Sequence, residues 1–214
     1  MLPLILDLVG KKVAIFGAGE VGLRKAQYFS KEAEVVVVDR HIEERVQESR
    51  LKLVEEDAYE SYERWINWAD LVVAATDDPL LNDKICSYAK SVGKDFNRAD
   101  GVGSFLIPSV IDKGNFIIAI STFGRSPAVS RALKEELESA IDVNWSLMVE
   151  LQEEIRKEIK SRVLDQRLRE KALRLIIKDK EILRMLGIDY TKAKNLAIEK
   201  IEKEMNGLQK REVA

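Results

Sequence analysis

The stretch from Lys11 to Arg40, KKVAIFGAGEVGLRKAQYFSKEAEVVVVDR, carries the residues whose spacing most plainly implies chemistry. Gly17, Gly19 and Gly22 follow the apolar run Val13 to Phe16 in the pattern GxGxxG. Asp39 stands about 20 residues further on, at the tip of a second apolar run from Val35 to Val38. The three glycines serve separate steric ends. Gly17 makes a tight turn, Gly19 lets a pyrophosphate approach bare backbone, and Gly22 allows a helix to pack closely on a strand. Unpaired N–H groups at that helix start then face the phosphates. An acid at Asp39 accepts hydrogen bonds from an adenosine ribose and repels a 2′-phosphate, which favours NAD over NADP, while Arg40 beside it softens that preference. Gly17, Gly19, Glu20, Val21, Gly22, Asp39 and Arg40 are therefore the expected cofactor contacts.

The elements that must position these residues alternate along the chain. A polar helix is expected from Ile42 to Ser49, a short strand at Leu51 to Val54 and a helix from Tyr59 to Trp68. Asp70 to Thr76 reads as a buried strand because its apolar run is unbroken and rich in β-branched residues. Pro79 opens a helix from Leu80 to Val92 that Gly93 ends, and Lys94 to Ala99 supplies another strand. Residues 1–113 thus read as a Rossmann-type α/β domain with a parallel sheet. Ligands of such sheets bind beyond the carboxyl ends of the strands, where Gly17, Asp39, Thr76, Asp77 and Asp100 all fall, and Thr76 and Asp77 join the expected cofactor contacts.

The alternation then stops. Ser104 to Pro108 and Asn115 to Ser121 are expected to be two strands joined by a turn at Asp112 to Asn115. From Ser126 and Pro127, a cap followed by a first-turn proline, the chain reads as helical almost to its end. Apolar residues recur at Val129, Leu133, Leu137 and Ile141, and again at Met148, Leu151, Ile155, Ile159 and Val163. Gly187 to Tyr190 breaks this tail before a last helix carrying Ala197, Ile201 and Met205. These stripes exceed what one subunit is expected to cover, which predicts a homodimer. The expected division is a dinucleotide-binding domain over 1–113, a dimerisation and substrate region over 114–142, and an α-helical C-terminal domain over 143–214.

Composition narrows the function classes. The 35 basic and 37 acidic residues leave a net charge of −2, so no global field draws nucleic acid. One cysteine, Cys86, excludes an internal disulfide, and one histidine, His41, leaves no cluster for zinc or iron. Cys86 is expected in the core and His41 on the surface. No apolar run has the length of a membrane span, and Met1 to Asp7 lacks the basic start of a signal peptide, so the expected compartment is the cytoplasm.

Three further stretches carry a resemblance. Leu2 to Leu8 (LPLILDL), Ala74 to Asn82 (AATDDPLLN) and Ile120 to Ala128 (ISTFGRSPA) resemble, in order, segments of the precorrin-2 dehydrogenase family, which occurs alone or as the first module of fused siroheme synthases. The resemblance implies NAD-dependent oxidation of precorrin-2 to sirohydrochlorin, and some members also insert ferrous iron. It implies that Asp100, in Phe96-Asn97-Arg98-Ala99-Asp100, is the catalytic aspartate, a general base for the proton that leaves the macrocycle. It also implies that Thr122, Arg125 and Ser126 meet the carboxylates of the substrate, with Arg98 and Arg131 as helpers. Two departures stand out. The loop Gly101-Val102-Gly103-Ser104 is shorter than usual for the family, and Thr122-Phe123 replaces a commoner Ser-Gly pair.

Two other readings share parts of this pattern. Another NAD-dependent dehydrogenase would keep the glycine turn and Asp39 but change the substrate. A regulatory module that senses nucleotides would bind without turnover, and would leave the Ser121 to Pro127 segment unexplained.

Overall fold

The computed structural model describes residues 1–42, 51–160 and 165–212. They form two compact units, one of Met1–Ile107 with Phe123–Arg125 and one of Pro108–Thr122 with Ser126–Ala214.

The first unit is built on five parallel strands: β1 (Lys12–Phe16), β2 (Glu34–Asp39), β3 (Lys52–Glu55), β4 (Leu71–Ala74) and β5 (Asp95–Arg98). Their order across the sheet is β3-β2-β1-β4-β5, so the chain runs outward one way from β1 and then returns to build the other side. The switch point of such a sheet lies between β1 and β4. Helices α1 (Glu20–Phe29), α2 (Ala58–Trp68) and α3 (Pro79–Ser91) connect the strands. The central strands are apolar on both faces because both are covered. Ala14, Phe16, Val36, Val38, Val72 and Ala74 face one cluster, and Val13, Ile15, Val35, Val37 and Val73 face the other. Each Val, Ile or Phe side chain among them removed from water is worth about 1.5–3 kcal/mol. Gly93 ends α3 at φ 72°, the left-handed conformation that suits a helix terminus.

Register places the site. Phe16 pairs with Val38 on one side and Ala74 on the other, and Ala74 pairs with Arg98. The residues that follow each of these therefore emerge along one edge of the sheet. Asp39 and Arg98 stand three inter-strand spacings apart, about 14 Å.

In the second unit, β6 (Ser109–Asp112) and β7 (Ile117–Ile120) form an antiparallel hairpin, followed by α4 (Pro127–Ala140), α5 (Asn144–Lys160), α6 (Gln166–Ile177), α7 (Lys180–Leu186) and α8 (Tyr190–Glu212). The hairpin turn is the expected one: Asp112 Oδ1 accepts from Gly114 N–H at 3.0 Å, and Gly114 takes φ 81°.

Two expectations change. The strand expected at Ser104 to Pro108 is absent, and the hairpin's first strand begins at Ser109, just past that segment. Phe105 and Ile107 pack instead against the core of the parallel sheet, with the Phe105 ring edge-on to Phe29. The stripe from Met148 does not await a partner. Met148, Leu151, Ile155 and Ile159 are buried against Ala172, Leu173, Ile176, Ile182, Ala197 and Ile201 of the same chain. The tail's helices cover one another, which pattern alone could not reveal. The helix expected from Ile42 to Ser49 falls outside the described residues from position 43 onward, as does Val163.

Candidate functional site

The glycine turn is held by contacts that only glycine permits. Gly17 takes φ 107°, and a Cβ there would lie 2.3 Å from the Ala75 carbonyl oxygen. At Gly22 a Cβ would lie 1.9 Å from the Gly17 carbonyl oxygen, so the first turn of α1 sits directly on the end of β1. Gly19 differs: a Cβ there would meet nothing within 4 Å, because it faces open space. It is also the N-cap of α1, with no side chain capping the helix. The first N–H groups of α1 thus point outward beside bare backbone, which is a cradle for an anion. Glu20 and Val21 are exposed at the same helix start.

Asp39 closes the turn from β2. Its Oδ2 accepts from Ala18 N–H at 2.6 Å and its Oδ1 from His41 N–H at 3.2 Å. Arg40 pairs with Asp57, the N-cap of α2, at 3.5 Å. A cleft of about 540 Å³ opens here, with Gly17, Asp39, Arg40, Thr76 and Asp77 among its walls. Its lining brings the turn glycine Gly17 together with an acid, Asp39, that suits a ribose.

Asp77 is exposed on the rim, whereas Thr76 is engaged within the protein. The Thr76 hydroxyl donates to Asn82 Oδ1 at 2.8 Å, and Asn82 Nδ2 donates back to the Thr76 carbonyl at 3.0 Å. Asn82 is fully buried. Next to it Asp78 caps α3 by accepting from Leu80 and Leu81 N–H groups, and it receives the Tyr59 O–H at 2.7 Å. That hydrogen bond holds the Asp78 carboxyl below its usual value and pushes the Tyr59 phenol up. Asp78 and Asn82 thus shape this wall, and only Thr76 and Asp77 were expected there. The Asp78-Pro79 pair, a cap and a first-turn proline, was the available signal.

Asp100 lies beyond β5, outside the walls of this cleft. Its carboxylate is gripped by Arg98, Nε to Oδ1 at 2.6 Å and Nη2 to Oδ2 at 3.2 Å. The guanidinium beside it holds the Asp100 carboxyl below the usual carboxylate range. Inside β5 the buried Asn97 donates to the Phe105 carbonyl and accepts from Lys25 Nζ of α1. Cys86 is buried, with its thiol raised by desolvation to about 11, and His41 is exposed.

In the second unit Thr122 and Ser126 are brought together. Thr122 Oγ1 accepts from Ser126 N–H at 3.1 Å and lies 3.1 Å from the buried Ser130 hydroxyl, and Ser126 Oγ caps α4 by accepting from Val129 N–H. Arg125, assigned to the first unit, is exposed. Among the described residues no group of three or more His, Cys, Asp or Glu could hold a metal ion, and no helix is long and apolar enough to cross a membrane.

A precorrin-2 dehydrogenase of Methanosarcina barkeri is 38% identical to this chain over 200 residues, which cover 90% of this chain and 89% of the relative. The chain belongs to the precorrin-2 dehydrogenase family. The family model described as "Putative NAD(P)-binding" matches residues 4–109, and NAD is the cofactor. A siroheme synthase of Psychrobacter cryohalolentis is 30% identical over 169 residues, 75% of this chain but 32% of that protein, so the chain spans about a third of such synthases. The solved structure titled "SirC, precorrin-2 dehydrogenase" shares the fold, with a TM-score of 0.74 at 24% identity, covering 95% of this chain and all of that one.

The glycine geometry makes a direct prediction. Gly22→Ala should destabilise the protein by about 1–3 kcal/mol or more, because the methyl collides with backbone that cannot yield. Gly19→Ala should leave stability nearly unchanged. Urea unfolding of both variants checks this, and an equally stable Gly22→Ala would contradict the packing described.

Proposed function

We propose that Asp100 takes the proton when this chain oxidises precorrin-2 to sirohydrochlorin with NAD. The observation that supports the reading most strongly is the placement of the glycine turn, Asp39 and Asp100 along one edge of a sheet whose relatives include a precorrin-2 dehydrogenase. NAD, when bound, accepts two electrons and one hydrogen from the macrocycle. The start of α1, with open space above Gly19 and with Glu20 and Val21 beside it, receives the pyrophosphate. Asp39 accepts from the adenosine ribose with the lone pairs that Ala18 and His41 leave, each such charged hydrogen bond being worth about 1.5–3 kcal/mol. Arg40, Thr76 and Asp77 complete the cofactor walls. The second hydrogen leaves the substrate as a proton, and an Asp100 oxygen accepts it. Thr122, Arg125 and Ser126 meet the carboxylates of the tetrapyrrole, with the N-terminus of α4 behind Ser126. The proposed compartment is the cytoplasm, which cell fractionation checks.

We also propose a homodimer. In this chain Val129, Leu133 and Leu137 of α4 remain 49%, 41% and 39% exposed. That stripe, unlike the one from Met148, is uncovered, and Leu2, Leu4 and Ile5 at the chain start are more exposed still. A second copy of the region around 114–142 is the proposed cover.

Asp39→Ser should narrow the preference for NAD over NADP in steady-state assays; equal use of both cofactors by the unmodified protein would remove the role assigned to Asp39. Asp100→Asn should slow turnover by about 10²–10⁴ while the affinity for NAD in titrations stays the same. Near-normal sirohydrochlorin formation by that variant would reject Asp100 as the base. Light scattering at micromolar concentration should find a dimer, and Leu133→Glu should weaken it; a monomeric unmodified protein would refute the pairing.

A further inference from the structure

Arg98 is the last residue of β5, one strand away from the end of β4. Its guanidinium is committed on every nitrogen. Nε and Nη2 run to the two oxygens of Asp100, Nη1 to Asp83 of α3, and Nη2 also faces the Pro79 carbonyl at 3.5 Å. Only 19% of its side chain is exposed. Gly101 supplies the room, since a Cβ there would stand 3.0 Å from Arg98 Cδ and 3.1 Å from Nε. A residue held in this way has no free edge with which to meet a substrate carboxylate, so the helper role expected for Arg98 at the substrate does not fit its surroundings. A two-point grip fixes the plane of a carboxylate as well as its position, which a single charge cannot do.

We infer that Arg98 is a positioning residue: braced on Asp83, its fork sets the place and plane of the Asp100 carboxylate at the end of β5, and it binds no substrate itself. The inference rests on the reading of Asp100 as the base. Among the described residues, few groups face Asp100. Arg98 ends the strand just before it, with Asp83 behind the guanidinium. Asn82 and the uncharged thiol of Cys86 approach from α3. From α1 the Lys25 ammonium is near enough to feel its charge; burial, and Arg24 after it, hold the Lys25 pKa below its ordinary value while Asp100 works against them. Removing Arg98 therefore has two separable effects. At neutral pH Asp100 stays ionised, so a change in rate there reports position. The acid limb of the rate profile reports charge: Arg98 lowers the Asp100 pKa, so its loss moves that limb to higher pH.

The test compares Arg98→Met, Arg98→Lys, Asp83→Asn and Asp100→Asn in the full chain, with precorrin-2 and NAD under anaerobic conditions. Arg98→Met should lower kcat by up to about 10²-fold at neutral pH, the usual effect of a small misplacement. KM for precorrin-2 and the Kd for NAD should hold, and the acid limb should move up. Arg98→Lys should return the limb toward its original place but only part of kcat. Asp83→Asn, which leaves the guanidinium in place, should lower kcat less, and it stands in if Arg98→Met fails to fold. The double variant Arg98→Met/Asp100→Asn should be no slower than Asp100→Asn. A raised KM with kcat kept would make Arg98 a substrate ligand and overturn the inference. So would an unchanged kcat and limb in Arg98→Met or Asp83→Asn beside a slow Asp100→Asn. Near-normal turnover of Asp100→Asn would instead show that the base was misassigned, and the inference would fall with that reading.

Discussion

The approach of α1 to the end of β1 is the constraint on which the rest depends. Gly22 sits so close to the Gly17 carbonyl that no side chain fits between them, and Gly17 itself passes under the Ala75 carbonyl of the neighbouring strand. These two contacts bring the helix start down onto the sheet between β1 and β4. They also leave Gly19 facing outward with the uncapped N–H groups of the helix. Asp39 then ties the second strand to the same turn through Ala18. A helix only slightly further out would free the backbone from its carbonyl contacts, and its uncapped start would no longer lie beside the end of β1.

Much of this was legible because it is local. The glycine spacing, the apolar strands and the acid at the tip of β2 each report a short-range steric or electrostatic requirement, and β1, β2, β4 and α3 lie where those requirements put them. What depended on long-range packing was less legible. The stripes from Val129 and from Met148 have the same periodicity, yet one is exposed and the other is closed over by α6 to α8. Periodicity states that a face needs covering; it does not say by what. Ser104 to Pro108 failed for a related reason. A run of apolar residues can be a strand or an extended segment laid on a core, and Phe105 and Ile107 took the second course.

At the other end of the edge, the sequence could name Asp100 only through a family resemblance, and it could not show the company that carboxylate keeps. Arg98 two residues earlier was expected as a helper at the substrate. The fold turns it inward, between Asp83 and Asp100, because β5 ends where α3 begins its second turn and Gly101 leaves space for the side chain. Asp39 at the tip of β2 and Asp100 beyond β5 thus stand in different surroundings. Asp39 is held by backbone N–H groups, whereas Asp100 is held by a guanidinium whose own position is set by a third residue.

The proposed reaction is the oxidation of a tetrapyrrole with NAD at this edge. Its most direct measurement is the absorbance spectrum of anaerobically supplied precorrin-2 incubated with the protein and NAD. Sirohydrochlorin should form in step with an equal amount of reduced NAD, and neither should form when NAD is left out. A spectrum that stays that of precorrin-2, from protein that binds NAD in a parallel titration, would contradict the account and leave a nucleotide-binding module without turnover.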